Sequence, residues 1–245
     1  MTRLILFGAA GRMGKEVEAA AEKAGDIEIV ARVDVSGADG CFPSLDQVRE
    51  TADVIVDFSH HAATRVLTDY AVRKKIPLLI ATTGQTDEEL GMIRAASDAI
   101  PVFFAANYSL GIAALIRCAK EIVKLYPDAD IEIVEKHHNR KLDAPSGTAL
   151  SIARALSSVR KGETAFTFGR GGQMKRQKNE IGIHAVRLGN IVGEHEVLIG
   201  TDNETITLKH EAHSRALFAD GALAAARFLA GREPGLYAMT DLVGD

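Results

Sequence analysis

Short apolar runs alternating with helical patterning dominate the first hundred residues. Leu4 to Phe7 is a run of buried-strand type, followed at once by Gly8, Gly11 and Gly14 and then by a helical pattern from Lys15 to about Ala24. Ile27 to Val33 supplies a second strand that ends at Asp34, Val54 to Phe58 a third, Leu78 to Ala81 a fourth and Val102 to Ala105 a fifth. Helical stretches separate most of them. This alternation predicts a parallel sheet covered by helices on both faces, with ligands bound beyond the carboxyl ends of the strands. The segments SHHAAT, ATTGQT and AANYSLG lie at those ends.

An apolar helix is predicted from Gly111 to about Leu125, then a strand from Ile131 to Val134 and a helix that ends near Ser158. After that the rhythm changes. Residues 169 to 179, GRGGQMKRQKN, form a glycine-rich basic loop, and strand-like runs follow at Ile181 to Arg187, Val192 to Ile199 and Thr205 to His210 without helices between them. Consecutive strands without crossover helices predict antiparallel neighbours. The expected fold is therefore α/β, a Rossmann-like dinucleotide-binding domain joined to a second α+β domain built on a mixed sheet. A last, alanine-rich helix from about Ala216 to Leu229 fits either domain by pattern alone.

The stretch Glu135 to Ala149, EKHHNRKLDAPSGTA, breaks this patterning with chemistry. Pro145 lacks an N–H and pushes the residue before it toward extended geometry, so the chain turns there, and Ser146 reads as an N-cap for the helix that Leu150, Ile152, Ala153 and Leu156 pattern. The free N–H groups of such a first turn attract carboxylate and phosphate, and His137, His138 and Lys141 are expected to converge on the same spot. The plainer reading is a solvated basic turn with an ordinary cap. Two adjacent histidines, a lysine four residues after the first, and the Ser-Gly-Thr cap favour an anion site.

Composition narrows the partners. The chain has 245 residues, 47% hydrophobic and 25% charged, a formal net charge of −4, no tryptophan and only 5% aromatics. Its length lies between one large domain and two modest ones, and a sizeable core is within reach. Neither a basic footprint nor stacking aromatics is present for nucleic acid, so an anionic ligand must be held by a local cluster. Cys41 and Cys118 are the only cysteines and form no CxxC, which removes support for a cysteine zinc site or a disulfide framework. The start, MTRLILFGAAG, reads as a first strand and not a signal peptide, and no apolar run is long enough to span a bilayer. Cytoplasmic residence is the expectation.

Gly8-Ala9-Ala10-Gly11-Arg12-Met13-Gly14 is G-x-x-G-x-x-G, a displaced form of the dinucleotide fingerprint. A strand precedes it, a helix follows, and Asp34 stands at the end of the next strand, where a carboxylate can accept bonds from ribose hydroxyls. A metal site of His60 and His61 with His137 and His138 is the obvious alternative, but adjacent histidines usually point apart and no metal-ligand spacing accompanies them, so no metal is expected. His184, His195, His210 and His213 read as packed or surface histidines. The loop from Arg170 to Lys178 reads equally as a mobile solvated loop or as a cover for a bound anion.

These segments together have a family likeness. GAAGRMG, DFS at 57–59, ATTG at 81–84, AANYSLG at 105–111, EKHHNRKLDAPSGTA and EIGIHAVRLGNIVGEHEVLIG at 180–200 closely resemble the 4-hydroxy-tetrahydrodipicolinate reductase (dihydrodipicolinate reductase) family over essentially the whole chain. HH-x-x-K-x-DAPSGTA is the specific part. The resemblance implies reduction of a cyclic imine dicarboxylate by NADH or NADPH in diaminopimelate and lysine biosynthesis, by a homotetramer assembled through the second domain's sheet. It also implies a dinucleotide-binding domain of residues 1–109 and 216–245 and a substrate-binding and oligomerisation domain of residues 110–215.

By resemblance, His137 is the acid that protonates the substrate and Lys141 the second catalytic residue, while His138, Gly147 and Thr148 hold the substrate carboxylates. Gly8, Ala9, Ala10, Gly11, Arg12 and Met13 contact the pyrophosphate and Asp34 the adenosine ribose. Ala81, Thr82 and Thr83, with Ala105, Ala106, Asn107 and Tyr108, line the nicotinamide side. Some members carry an arginine directly after the acidic residue, where this chain has Val35, which favours NADH over NADPH. Two other readings compete. Another two-domain amino-acid or semialdehyde dehydrogenase is one, although Cys118 lies mid-helix and not where a nucleophile belongs. A non-catalytic NAD-binding redox sensor is the other, and it leaves HHNRK without a task.

Overall fold

The first apolar run becomes β1 (Thr2–Phe7), and the glycine turn carries the chain into α1 (Arg12–Ala24). Gly11 is the N-cap, so α1 starts three residues earlier than the apolar pattern predicts and Gly14 lies inside its first turn. A Cβ on Gly14 would run into the carbonyl oxygens of Gly8 and Ala9. β2 (Ile27–Val33), β3 (Val54–Asp57), α2 (Thr64–Lys74), β4 (Leu78–Ile80), α3 (Asp87–Ser97) and β5 (Pro101–Phe104) follow. Then come α4 (Leu110–Leu125), β6 (Asp130–His137), α5 (Gly147–Ser157), β7 (Ala165–Phe168), β8 (Glu180–Arg187), β9 (Gly193–Gly200) and β10 (Thr205–Ala212). The chain closes with α6 (Ala216–Leu229), β11 (Gly235–Tyr237) and α7 (Met239–Val243). This computed structural model describes residues 1–244.

Residues 1–110 and the segment from Arg215 onward form one unit, and residues 111–214 another. The first holds a six-stranded sheet of order β11-β5-β4-β3-β1-β2 in which every pair is parallel. Ile5, Phe7, Val33, Ile55, Leu78, Ile80 and Val102 from the strands bury against Leu67, Ile93 and Ala96 of the helices. Strand order reverses between β1 and β3, the place where parallel α/β sheets bind ligands. Gly8 is at that place, with φ 82° and so close to the Phe58 backbone that a Cβ would stand 2.8 Å from its carbonyl. Gly221 lets α6 lie close against the segment that follows β5, since a Cβ there would meet the Tyr108 carbonyl oxygen.

The second unit is a mixed five-stranded sheet of order β10-β9-β6-β8-β7. Ile131, Ile133, Ile181, Ile183, Val197 and Ile199 form its apolar face, covered by Leu115, Ala119 and Val123 of α4 and Ile152, Ala153 and Leu156 of α5. Two expectations are corrected. β8 and β9 are not neighbours, because residues 188–192 step across the end of β6, so β8 runs parallel to β6 on one side and β9 antiparallel on the other. Leu188 N–H donates to His137 O at 2.9 Å and His138 N–H to Ile191 O at 2.8 Å, which pins that crossing. For the same reason β6 does not stop at Val134 but continues, paired on both sides, through Lys136.

Candidate active site

Along β6 the positions Ile131, Ile133, Glu135 and His137 are buried, while Glu132, Val134 and Lys136 are half-buried. Alternation puts the four buried residues on one face. That face is apolar for two residues and ionisable for the next two. A carboxylate with no exposed surface, as Glu135 has, persists only if it is paired and hydrogen-bonded. Glu135 Oε2 lies 2.6 Å from His137 Nδ1, Arg187 Nη1 and Nη2 donate to its two oxygens at 2.8 Å each, and Ser146 N–H donates to Oε1 at 3.0 Å. Burial pushes the Glu135 carboxyl up, but the bonds from His137, Arg187 and the Ser146 N–H prevail and hold it at about 2. It is an anion at neutral pH.

Arg187 links this pair to the following loop. Its Nη2 also donates to Asp143 O at 2.6 Å, and the Asp143 carboxylate pairs with Lys141 Nζ at 2.8 Å. His137 and Lys141 are thus held in one network whose hub is an arginine from β8. The loop crosses to α5 through a cis Ala144–Pro145 bond. Ser146 then caps the helix, its Oγ accepting from Ala149 N–H at 3.1 Å. The same Oγ lies 3.1 Å from His195 Nε2, and the His195 ring stands edge-on to that of His137 with centroids 5.3 Å apart. Burial, then the neighbouring His137, pushes His195 down to about 4, so it is neutral in the physiological range. His137 Nε2 faces Gly193, where a Cβ would stand 3.1 Å away.

Gly147 is exposed and Thr148 half-buried in the first turn of α5, which carries no acidic side chain. His138 is half-buried just beyond β6. The basic loop at 169–179 is exposed along most of its length, with its two half-buried arginines turned to acidic partners. Arg170 pairs with Glu180 and Glu132, and Arg176 with Asp130, Glu132 and the carbonyls of Ile131 and Glu180. Glu132 is on the face of β6 opposite Glu135 and His137, and His184 joins it at 2.7 Å. The arginines therefore serve carboxylates of the sheet's other face.

In the first unit, no side chain caps the N-terminus of α1, and no acidic residue occupies its first turn. Gly8 and Ala9 are buried in the turn, Ala10 and Met13 half-buried, Gly11 and Arg12 exposed. Asp34 Oδ2 accepts from Ala10 N–H at 3.3 Å, while its Oδ1 accepts from Ser36 N–H and Oγ at 3.0 and 2.6 Å. These bonds, the Ser36 hydroxyl foremost, hold the Asp34 carboxyl below its usual range. The turn and the β2 end are thereby joined around one anion. Arg32 is engaged at 3.4 Å with Glu18.

Thr82 is buried, donating to Asp57 Oδ2 at 2.9 Å, with Thr83 exposed beside it and Ala81 half-buried. Ala105 and Asn107 are half-buried and Ala106 is exposed. Tyr108 is turned inward, its hydroxyl donating to Ile80 O at 2.8 Å, so only its backbone is left to meet a ligand. His61 pairs with Glu89 at 3.0 Å, and His60 Nδ1 accepts from Ala62 N–H. His61 thus ties this turn to the start of α3, while His60 caps the turn itself.

Family profiles described as dihydrodipicolinate reductase, N-terminus and C-terminus, match residues 2–108 and 111–243. The chain belongs to the dihydrodipicolinate reductase family. A 4-hydroxy-tetrahydrodipicolinate reductase of Caldanaerobacter subterraneus subsp. tengcongensis is 51% identical over 99% of this chain and 98% of that one, and the Clostridium tetani relative of the same name 44% identical over 98% and 96%. Dipicolinate-bound dihydrodipicolinate reductase from Paenisporosarcina sp. TG-14 shares the fold with TM-score 0.78 at 24% identity, each chain covered to 98%. Glu135, Arg187 and His195 surround His137 and were passed over by motif reading, whereas Ser146 was read only as a helix cap. The signal for Glu135 was parity, since it shares the buried phase of Ile131 and Ile133.

Proposed function

We propose that this protein reduces 4-hydroxy-tetrahydrodipicolinate to tetrahydrodipicolinate with a nicotinamide coenzyme, as a cytoplasmic homotetramer in diaminopimelate and lysine biosynthesis. What carries the reading is the polar end of β6, where His137 is fixed by Glu135 and linked through Arg187 and Asp143 to Lys141, beside the uncharged first turn of α5. Among the described residues no helix is long and apolar enough to cross a membrane.

The first unit fits a dinucleotide. Gly8 and Gly14 leave no room for a Cβ where the backbone must approach a pyrophosphate, and the start of α1 is uncapped. Gly8, Ala9, Ala10, Gly11, Arg12 and Met13 would hold the pyrophosphate, Asp34 the adenosine ribose, and Ala81–Thr83 with Ala105, Ala106, Asn107 and the Tyr108 backbone the nicotinamide. When bound, that group supplies a hydride. The chain's residues do the rest. His138, Gly147 and Thr148 hold the carboxylates, the substrate's 4-hydroxyl leaves as water to give the conjugated imine, and His137 with Lys141 delivers the proton which that imine takes up with the hydride. Asp34 without a counter-charge at Val35 favours NADH moderately over NADPH.

The test is steady-state loss of nicotinamide absorbance. Oxidation of NADH is expected only when the product of dihydrodipicolinate synthase is supplied fresh. Folded protein that binds NADH but does not turn over with that substrate removes the reading and returns the choice to a redox sensor or a different dehydrogenase.

A further inference from the structure

Glu135 has no exposed surface and is bound on every side by groups of its own unit: His137 Nδ1, the Arg187 guanidinium and the Ser146 N–H. An ionised carboxylate accepts hydrogen bonds and donates none. The 2.6 Å contact is therefore an Nδ1–H donating to Glu135 Oε2, whatever the charge on the ring. This leaves Nε2 as the ring nitrogen not engaged by Glu135; it lies over Gly193, where a Cβ would stand 3.1 Å away. His195 adds a second constraint, because its ring stands edge-on to His137 at 5.3 Å and is itself tied to Ser146 Oγ. Ser146 contributes to both, through its N–H to Glu135 and its Oγ toward His195.

We propose that Glu135 is the positioning residue for His137, holding it in the Nδ1–H form so that Nε2 is the nitrogen that gives up and regains the proton, with Arg187 and the Ser146 N–H holding Glu135 in place. The role of His137 as the proton donor rests on the reductase reading above. The position of the Nδ1 proton does not. A carboxylate behind a histidine sets both ring orientation and tautomer, and its replacement by the isosteric amide leaves the shape while freeing the tautomer. In Glu135→Gln the amide must satisfy Arg187, Ser146 N–H and His137 with one oxygen and one NH2, and the NH2 faces a donor in every arrangement that serves the others.

The experiment combines kinetics with imidazole nitrogen-15 spectra, using Glu135→Gln, His137→Gln and the double variant in the full chain. Glu135→Gln is expected to lower kcat on the order of a hundredfold while KM and the dissociation constant of dipicolinate change by less than about threefold. The double variant should be no more than about threefold slower than His137→Gln alone, because the two residues act as a unit. Wild-type His137 should show a protonated Nδ1, and Glu135→Gln should shift the population toward protonated Nε2. Kinetic additivity in the double variant, or near-normal kcat in Glu135→Gln, overturns the proposal. So does a wild-type spectrum with the proton on Nε2, which decides the matter even if Glu135→Gln fails to fold. A wild type that binds dipicolinate and NADH but is inactive overturns the reductase reading, and the spectrum still tests the clamp.

Discussion

Acidification should weaken the 111–214 unit through its histidines, His195 above all, with half-buried His210 also lowered by burial. His195 is 5% exposed, its Nε2 is committed to Ser146 Oγ, and its Nδ1 is buried with no hydrogen-bond partner among the described residues. Burial, followed by the charge of His137, lowers it from 6.5 to about 4. Between those values the unfolded chain binds a proton that the folded chain refuses, so stability rises with pH across the window and is lost as pH falls from about 6.5 to about 4. The difference, about 2.5 units at 1.36 kcal/mol each, is about 3 kcal/mol.

His195→Gln removes the titration and keeps a polar group near Ser146. Urea unfolding of both proteins at several pH values between roughly 7 and 4 isolates the effect, because Glu135 and the other carboxylates titrate alike in each. The wild type's advantage over the variant should shrink by about 3 kcal/mol on that descent. Parallel stability curves would refute the reasoning, as would an imidazole resonance of His195 titrating at its ordinary value in the folded protein.

Three further outcomes are expected. His137→Gln and Lys141→Ala should each lower turnover on the order of a hundredfold with NADH affinity near normal, and near-normal kcat at saturating substrate would make either residue merely structural. Gly193→Ala places a methyl 3.1 Å from His137 Nε2 without backbone strain, so kcat should fall by roughly tenfold or more while the thermal midpoint stays close to wild type. An unchanged kcat there would show that Nε2 has room to spare. In coenzyme choice, one repulsive contact partly offset by Arg12 should favour NADH by roughly 1 to 3 kcal/mol, about five- to 150-fold in kcat/KM at equal salt. Equal values would remove Asp34 as the selectivity residue.

Most of the fold was legible because its burial is carried by contiguous apolar runs. β2 and α6 fall on the predicted residues, and β1, β3, β4 and β5 within a few residues of them. What escaped was short or held by tertiary pairing. β11 has three residues and is a strand only because β5 offers an edge, and β7 has four with half its side chains outward. The order of β8, β6 and β9 was misread for a related reason. A five-residue link between two strands normally makes a hairpin, and nothing in residues 188–192 announces that they cross the end of a third strand.

The site divides along the same line. His137, Lys141 and the Ser146 cap lie within ten residues and declare themselves by composition and by the turn at Pro145. Glu135 lies in the same stretch yet reads as an ordinary polar residue unless its phase is counted. An acidic side chain two residues after Ile133 on a strand with one buried face must find a cation or a donor inside. His137, two residues further, is one answer, and parity alone implies it. The other is Arg187, which arrives because β6 and β8 run parallel in a register that sets Arg187 opposite His137. Fifty residues separate the two, and the register follows from which apolar faces meet beneath α4 and α5, so the cation that stabilises Glu135 appears only once the sheet is built. His137 was therefore readable from local chemistry as part of an anion site, with its proposed proton-donor role coming from the family resemblance, while the groups that surround it are a consequence of the topology.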